Sequence, residues 1–371
     1  MKYTTEFRDR ELVEKEARHI HEITHQTWRI MEVCGGQTHA LLRYGLMDLL
    51  PEKIKLVHGP GCPVCVTPVE VLDSAIDLAE NKKAILCSFG DMLKVPGSRG
   101  NLFDCRARGG DVRVVYSPLD CLSIAKQNPT REVVFLAVGF ETTAPAHALA
   151  VLQAETLGIK NFSLLVSHYL VPPALRLILS NPKTQVDGFL AAGHVCTIMG
   201  AEEYRPIVDE FHVPIVITGF EPLDLMQGIR MVVEQLESET AKLQNQYTRS
   251  VVDSGNLVAR QAIEKVFHSI RQSWRGLGEY EGSGLGLRSE YSQYDAWAKF
   301  GIRVHQQEST SCLAGDIMMG IKRPQDCSHF GKDCRPDHPM GAPMVSSEGA
   351  CAAYFKYRVD NQSSSHPEKR V

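Results

Sequence analysis

The stretch VVFLAVGFETT, residues 133–143, passes from an apolar, β-branched run through a glycine turn into a helical pattern that reaches about residue 157. Such a run predicts a short strand, and the glycine lets the backbone turn at the strand end. The same unit recurs along most of the chain. Because strands then alternate with helices, the sequence predicts parallel sheets with helices on both faces.

The repeated unit allows either one large sheet or two sheets of about four strands. Two sheets are favoured because the pattern restarts near Val133 and because the Gly-Phe-Glu turn occurs at residues 139–141 and again at 219–221. We therefore predict an α/β fold with two similar Rossmann-like, parallel-sheet α/β/α domains, over residues 1–130 and 131–245. The predicted strands lie near residues 29–33, 54–58, 84–89, 112–116, 133–138, 162–166, 188–191 and 215–218.

The repeated strand–turn–helix pattern ends at about residue 244, and residues 246–371 are predicted to form a third, small domain. Within it, residues 250–272 are predicted to be helical, and residues 274–291 hold five glycines and suggest a loop. The tail after Tyr357 is polar and is predicted to be disordered.

Four cysteines mark this C-terminal region, in the spacing C-x14-C-x6-C-x16-C: Cys312, Cys327, Cys334 and Cys351. The surrounding residues are rich in Gly, Pro, Asp and His and offer little apolar surface, so four thiolates on one inorganic centre would hold the region together. Zinc sites usually contain closely paired cysteines, which are missing here. The wider spacing favours an iron–sulfur cluster, with zinc as the alternative.

A second group of thiols lies near the N-terminus, at the predicted ends of two strands. Cys34 stands in Cys34-Gly-Gly-Gln-Thr-His39, and a C-x-x-C pair stands in Gly-Pro-Gly-Cys62-Pro-Val-Cys65. The partial positive charge of a helix N-terminus is expected to favour the Cys34 thiolate and to lower its pKa below that of a free thiol. The pair suits a reducible disulfide or half of a metal site, and zinc bound with Cys34 and His39 stays open.

Three further turns carry groups that could be structural or functional. Glu141 and Glu221 occupy matching Gly-Phe-Glu turns, where a carboxylate is often only a helix cap. His194 follows Gly193 in an analogous turn, and Cys196 lies two residues further on and could face the same cleft.

Composition excludes several classes of protein. The 371 residues carry a formal net charge of −4, which gives no electrostatic case for nucleic acid. No run approaches the ~20 apolar residues of a membrane span, and the charged N-terminus does not resemble a signal peptide. We expect a cytoplasmic protein, in which the eleven cysteines suit metal ligands and redox groups better than structural disulfides, with Cys87 and Cys121 in the core. An α/β oxidoreductase remains an alternative, although no G-x-G-x-x-G follows a predicted strand.

Six motifs together resemble one family: MEVCGG (31–36), HGPGCPVC (58–65), GFETT (139–143), GHV (193–195), GFEPLD (219–224) and VSSEGAC (345–351). They look like the HypD family of [NiFe]-hydrogenase maturation factors, and the resemblance runs from about Phe7 to Tyr357. It implies two similar α/β domains and a small C-terminal [4Fe-4S] domain. The family's cluster ligands map onto Cys312, Cys327, Cys334 and Cys351, its essential thiols onto Cys34, Cys62 and Cys65, and its cleft residues onto His39, His194 and Glu348.

The resemblance also implies an assembly factor rather than an enzyme with ordinary turnover. Such proteins form a complex with the small protein HypC, on which the Fe(CN)2CO group of the hydrogenase is built. Cyanide comes from HypE, which acts after HypF and carries it as a thiocyanate on a cysteine. We expect a monomer paired with HypC, with Cys34 binding the iron and with Cys62 and Cys65 supplying electrons that the cluster replaces.

Two positions depart from the family pattern. Gln37 stands where the family commonly has the first histidine of Cys-Gly-Gly-His-Thr-His, so no imidazole is present there. Cys196 stands where a serine commonly follows Gly-His-Val, and its thiol could add a ligand or simply fill space.

Overall fold

The computed structural model describes residues 5–302 and 311–359, which form two mainly parallel sheets covered by helices. The strands are β1 Trp28–Glu32, β2 Ile54–His58, β3 Ile85–Ser88, β4 Val112–Val114, β5 Val133–Gly139, β6 Phe162–Tyr169, β7 Gly188–Ala192, β8 Ile215–Thr218, β9 Leu243–Asn245, β10 Phe267–Trp274 and β11 Gly278–Leu287. The helices are α1 Arg10–Ile23, α2 Gly35–Arg43, α3 Pro63–Val66, α4 Val69–Glu80, α5 Leu102–Ala107, α6 Asp120–Gln127, α7 Ala144–Thr156, α8 Val171–Ser180, α9 Gly193–Met199, α10 Arg205–Phe211, α11 Pro222–Glu237, α12 Leu257–Val266, α13 Ala296–Phe300, α14 Ala314–Met318 and α15 Ala350–Tyr354.

The predicted α/β fold with two parallel sheets is confirmed. Sheet A has the order β2-β1-β7-β8-β9, and its strands pair in parallel. Sheet B has the order β10-β11-β6-β5-β3-β4; β6, β5, β3 and β4 are parallel, and the β10–β11 hairpin joins them antiparallel. Strand β5 is buried at every position, as its apolar sequence requires.

The sheets do not follow the predicted division of the chain at residue 130. Sheet A takes two strands from the N-terminal region and three from residues 188–245, whereas sheet B takes four strands from residues 85–169 and the hairpin at 267–287. A strand–turn–helix pattern shows that a strand is present, but it carries no information about which strand pairs with it. The assignment of one sheet to each of the first two predicted regions is therefore wrong.

The β10–β11 hairpin replaces the helix and loop predicted between residues 250 and 291. Only Leu257–Val266 is helical, and the chain continues directly into β10. The glycines allow close packing within the hairpin, because a Cβ atom on Gly284 would lie 2.5 Å from the Cβ of Gln272. Gly284 and Gly286 thus belong to a strand with a close neighbour, not to a loop.

The parallel register of sheet A brings several turns to one edge. Glu32 at the end of β1 pairs with His58 at the end of β2, and β7 lies on the other side of β1. The turns that follow these strands, with Cys34, Cys62 and His194, therefore emerge side by side. This is the edge at which open parallel sheets bind ligands.

The C-terminal cysteine segment, residues 311–359, packs against sheet A. A Cβ atom on Gly320 would lie 2.8 Å from Cε of Met31, and Tyr354 packs with Leu42 of α2. The predicted disordered tail falls largely on residues 360–371, which lie outside the described residues. In the described part of the chain, no helix has both the length and the apolar character needed to cross a membrane.

Candidate functional site

Cys34 is the buried N-cap residue of α2, with only 4% of its surface exposed. Backbone N–H groups of Gly36 and Gln37 point at its sulfur and favour the thiolate. Burial nevertheless raises the pKa of this thiol far above its usual value, and the carboxylate of Glu348 raises it further. The expected lowering of the Cys34 pKa is therefore wrong, because desolvation outweighs the helix terminus.

His194 is the imidazole nearest to this thiol. Its Nδ1 and Nε2 lie 3.8 and 3.9 Å from Sγ of Cys34, and its ring packs on Phe220 with centroids 5.1 Å apart. Burial lowers the pKa of His194 to about 4, so the ring is neutral near pH 7. A neutral ring can donate one N–H to a ligand beside Cys34 without adding charge.

The Cys62–Cys65 turn lies directly against Cys34. The two cysteines are joined by a disulfide, with their Cα atoms 5.2 Å apart. A Cβ atom on Gly61 would lie 2.3 Å from both Cα and N of Cys34, and the amide of Gly35 donates to the carbonyl of Gly61 at 3.0 Å. Glycine at position 61 is what allows the two turns to touch.

Glu348 closes the other side of the same cleft. A Cβ atom on Gly35 would lie 2.5 Å from Cβ of Glu348, and both residues line a narrow cleft together with Cys62 and Cys65. Burial raises the pKa of Glu348, and the charge of Asp91 adds to this effect. The predicted cleft residue Glu348 thus lies beside the disulfide.

His39 contacts the C-terminal cysteine segment. Its Nδ1 lies 3.4 Å from the carbonyl oxygen of Ser347, and its Nε2 lies 3.0 Å from the hydroxyl of Tyr357. Burial lowers the pKa of His39. These contacts give His39 a role in holding residues 347–357 against α2.

The four C-terminal cysteines lie within electrostatic reach of one another. Burial raises the pKa of Cys351, and the charges of Cys312, Cys334 and Cys327 raise it further. Burial likewise raises the pKa of Cys312. Among the described residues, no three His, Cys, Asp or Glu side chains are grouped so that they could hold a single metal ion.

The surroundings of the quartet fit an iron–sulfur cluster chemically. The amide of Met340 donates to Sγ of Cys334 at 3.4 Å, and the amide of Ala314 points at Cys312. A Cβ atom on Gly341 would lie 2.3 Å from Sγ of Cys312, so glycine leaves room for that sulfur. Four thiols, two of which have amide donors at their sulfurs, are a suitable ligand set for a [4Fe-4S] cluster.

One cysteine of the quartet packs against the apolar cluster that contains the disulfide. Cys34, Cys62, Cys65 and Met318 belong to it, and Cys312 packs against it. Sγ of Cys65 also lies 4.0 Å from the carbonyl oxygen of Ala342, in the C-terminal cysteine segment.

Two of the predicted turn carboxylates act as caps. Glu221 caps α11 and forms an ion pair with Arg8. Glu141 accepts from the amide of Val171 at 2.7 Å, at the start of α8, and burial raises its pKa to about 8. Cys196 is completely buried in an apolar cluster, where its thiol fills space, and burial raises the pKa of this thiol.

Gln37 ties α2 to sheet A. It is completely buried, and its amide donates to Oγ1 of Thr218 at 2.7 Å and to the carbonyl of Ala191 at 3.2 Å. Gln37 therefore holds the helix that begins at Cys34.

Sequence reasoning missed a buried polar group beneath Cys34. The carboxylate of Glu32 accepts from the amide of Cys34 at 3.0 Å and from the hydroxyl of Thr38, and it lies 2.5 Å from Nδ1 of His58. The available signal was a Glu and a His at the ends of two strands, each a few residues before a cysteine of the site.

The fold and the site define a thiol-rich, two-sheet α/β protein whose C-terminal cysteine segment packs beside a disulfide turn. Residues 11–358 match the family model HypD, described as the hydrogenase formation hypA family. Similar proteins include the hydrogenase maturation factors HypD of Azotobacter vinelandii (46% identity, 98% of each chain covered) and Escherichia coli strain K12 (45%, 96% of this chain and 98% of the relative). HypD of Cupriavidus necator is 44% identical over 96% of this chain and 97% of its own. The chain belongs to the HypD family of hydrogenase maturation factors.

Proposed function

We propose that this chain, together with HypC, is the scaffold on which the Fe(CN)2CO group of a [NiFe] hydrogenase is assembled, and that it accepts cyanide from HypE, downstream of HypF. Family membership supports the maturation role. In this proposal the chain is a monomer within its complex with HypC. It works in the cytoplasm, where free thiols stay reduced.

The observation that carries the proposal is the contact between the Cys62–Cys65 turn and Cys34. The backbone of Gly61 touches that of Cys34, so a redox-active pair and a metal-binding thiol lie at the same edge of sheet A. A cyanide released by the pair would reach the iron without leaving the cleft.

Cys34 would bind the incoming iron as a thiolate, a soft ligand suited to iron that carries cyanide and carbon monoxide. Burial keeps the free thiol protonated, so iron binding displaces a proton. His194, 3.8 Å from the sulfur, would donate an N–H to a cyanide nitrogen. The buried site excludes water, which strengthens both interactions.

Cys62 and Cys65 would supply the two electrons that cyanide release requires. The dithiol and a thiocyanate, R–S–CN, would give the Cys62–Cys65 disulfide, R–SH and HCN. The S–C bond breaks, the S–S bond forms, the dithiol is oxidised, and its two protons pass to the thiolate and the cyanide. The oxidised product of this step is the bonded state of the pair.

Cys312, Cys327, Cys334 and Cys351 would hold a [4Fe-4S] cluster. When bound, such a cluster supplies electrons singly at a low potential. The amides of Ala314 and Met340 would donate to its ligand sulfurs, and Gly341 leaves space beside Cys312. Cys312 packs on the apolar cluster that contains the disulfide, which supports electron transfer between them.

The proposal is tested by infrared spectroscopy of the anaerobically purified complex with HypC, in Cys62→Ser and Cys65→Ser variants. Both variants should keep the visible absorption of the iron–sulfur cluster but lose the cyanide stretching bands. Cys121→Ser, which changes a buried cysteine outside the site, is the matched control and should retain those bands. Normal cyanide loading in either site variant would show that the pair does not supply the electrons.

A further inference from the structure

A buried chain of hydrogen bonds links the C-terminal cysteine segment to the Cys34 turn. Tyr354, at the end of α15, has its hydroxyl 2.9 Å from Nε2 of His58, and Nδ1 of His58 lies 2.5 Å from Oε1 of Glu32. Oε2 of Glu32 accepts from the amide of Cys34 at 3.0 Å. Tyr354 and His58 are 296 positions apart, and they are thus connected to Cys34 through Glu32.

These groups are as deeply buried as any in the core. Glu32, His58 and Tyr354 are 0%, 3% and 3% exposed, so each polar atom depends on its neighbour in the chain. A carboxylate at Nδ1 fixes the ring proton there, which leaves Nε2 to accept from the tyrosine hydroxyl. The hydroxyl of Tyr354 therefore donates to His58, and His58 donates to Glu32.

We infer that Glu32, His58 and Tyr354 are positioning residues that make the orientation of Cys34 depend on the docking of the C-terminal cysteine segment. Glu32 holds the amide of Cys34 and the hydroxyl of Thr38 together, and it thereby fixes the first turn of α2. Tyr354 reaches it from the helix that also contains Cys351. A displaced α15 would leave His58 without its partner and loosen the Cys34 turn.

The meaning of this link for iron assembly rests on the proposed function, but the link itself does not. Cys34 is buried, so its reaction with iodoacetamide reports how often the turn opens. The rate is measured on the full chain by mass spectrometry of the Cys34 peptide. The measurement needs no iron and no cyanide, so its failure is distinguishable from failure of the proposed function.

Tyr354→Phe should raise the alkylation rate of Cys34 by about five- to tenfold, the factor expected for loss of one buried hydrogen bond. Tyr294→Phe is the matched control, since Tyr294 is equally buried but packs on Phe162 in sheet B, and it should leave the rate unchanged. An unchanged rate in Tyr354→Phe would overturn the inference.

Two further comparisons separate positioning from general loss of stability. Glu32→Gln combined with Tyr354→Phe should react no faster than Glu32→Gln alone, because both changes break one chain. If the double variant reacted faster than Glu32→Gln by the same factor that Tyr354→Phe produces alone, the two residues would act independently. That result would overturn the inference. His58→Gln, whose amide can donate to Glu32 and accept from Tyr354, should keep the slow rate, whereas His58→Leu should not. Equal alkylation rates in His58→Gln and His58→Leu would also overturn the inference. If Glu32→Gln fails to fold, the comparison of the two His58 variants tests the inference instead.

Discussion

Gly61 and Cys34 touch through their backbones: a Cβ atom on Gly61 would lie 2.3 Å from both Cα and N of Cys34. Gly61→Ala must therefore push the Cys62–Cys65 turn away from α2. We expect a loss of about 1–3 kcal/mol in the free energy of unfolding, the usual cost of overpacking. Urea denaturation measures it, and Cys34 should become more reactive.

Gly90→Ala is the matched control for this change. A Cβ atom on Gly90 would meet only Val114, at 3.9 Å, which is an ordinary contact. A stability loss of the same size in both variants would argue against a special contact at Gly61.

The ion pair between Arg249 and Asp224 holds the turn that carries Phe220. Asp224 is completely buried, and Nη1 of Arg249 donates to its Oδ1 at 2.7 Å. Arg249→Met leaves this carboxylate buried without its cation, so we expect the free energy of unfolding to fall by about 3–5 kcal/mol. Calorimetry would show this as a clearly lower Tm.

The exposed pair of Arg205 and Glu202 provides the comparison. Arg205→Met should leave the Tm almost unchanged, because water screens this pair. Equal losses in the two arginine variants would contradict the importance given to burial.

Glu141 should make stability depend on pH. Burial raises its pKa from 4.5 to about 8, so the folded state binds a proton that the unfolded state releases. The stability that this proton contributes is fully present below about pH 4.5 and is lost as pH rises through about 8, at ~1.4 kcal/mol per unit of pKa difference. Glu141→Gln should therefore gain stability relative to the unmodified chain between pH 5 and 9, as followed by urea denaturation.

Glu202→Gln is the control for this pH series. The ion pair with Arg205 lowers the pKa of Glu202. The substitution Glu202→Gln should therefore change the pH dependence of stability only below pH 4.5. A stability difference for Glu141→Gln that stays constant from pH 5 to 9 would be inconsistent with a neutral buried Glu141.

Iron and labile sulfide in the anaerobically purified chain should depend on the C-terminal quartet. Cys334→Ser should abolish both, together with the brown colour, because a ligand is lost from the cluster. Cys105→Ser, at a buried cysteine of α5, should retain them. Iron-free protein that contains zinc instead would support the alternative of a zinc-stabilised scaffold.

The sequence predicted the strand–turn–helix units well, because a β-branched run followed by glycine is a local signal. It also placed Cys34 and His194 at strand ends, where the structure brings them together. The pKa of Cys34 could not be foreseen, since it depends on burial and on Glu348, more than three hundred residues away in the chain.

The sheet to which each strand belongs could not be predicted from the sequence for a similar reason. The runs that become β3 and β7 are both short and mainly apolar, yet these strands belong to different sheets. The glycines of β11 suggested a loop because the close contacts of Gly284 and Gly286 with β10 cannot be read from the sequence. Glu32 and His58 were missed because a single Glu or His at a strand end is a weak signal, although each stands a few residues before a cysteine of the site.

The alternation of the polypeptide between its two sheets has a consequence for protein engineering. The backbone leaves sheet A after β2, returns to it at β7 and leaves it again after β9. No single cut yields a fragment that contains one whole sheet and nothing of the other. Neither sheet can therefore be expressed or exchanged as one continuous segment, and any fragment that keeps all of sheet A also keeps β3 to β6 of sheet B.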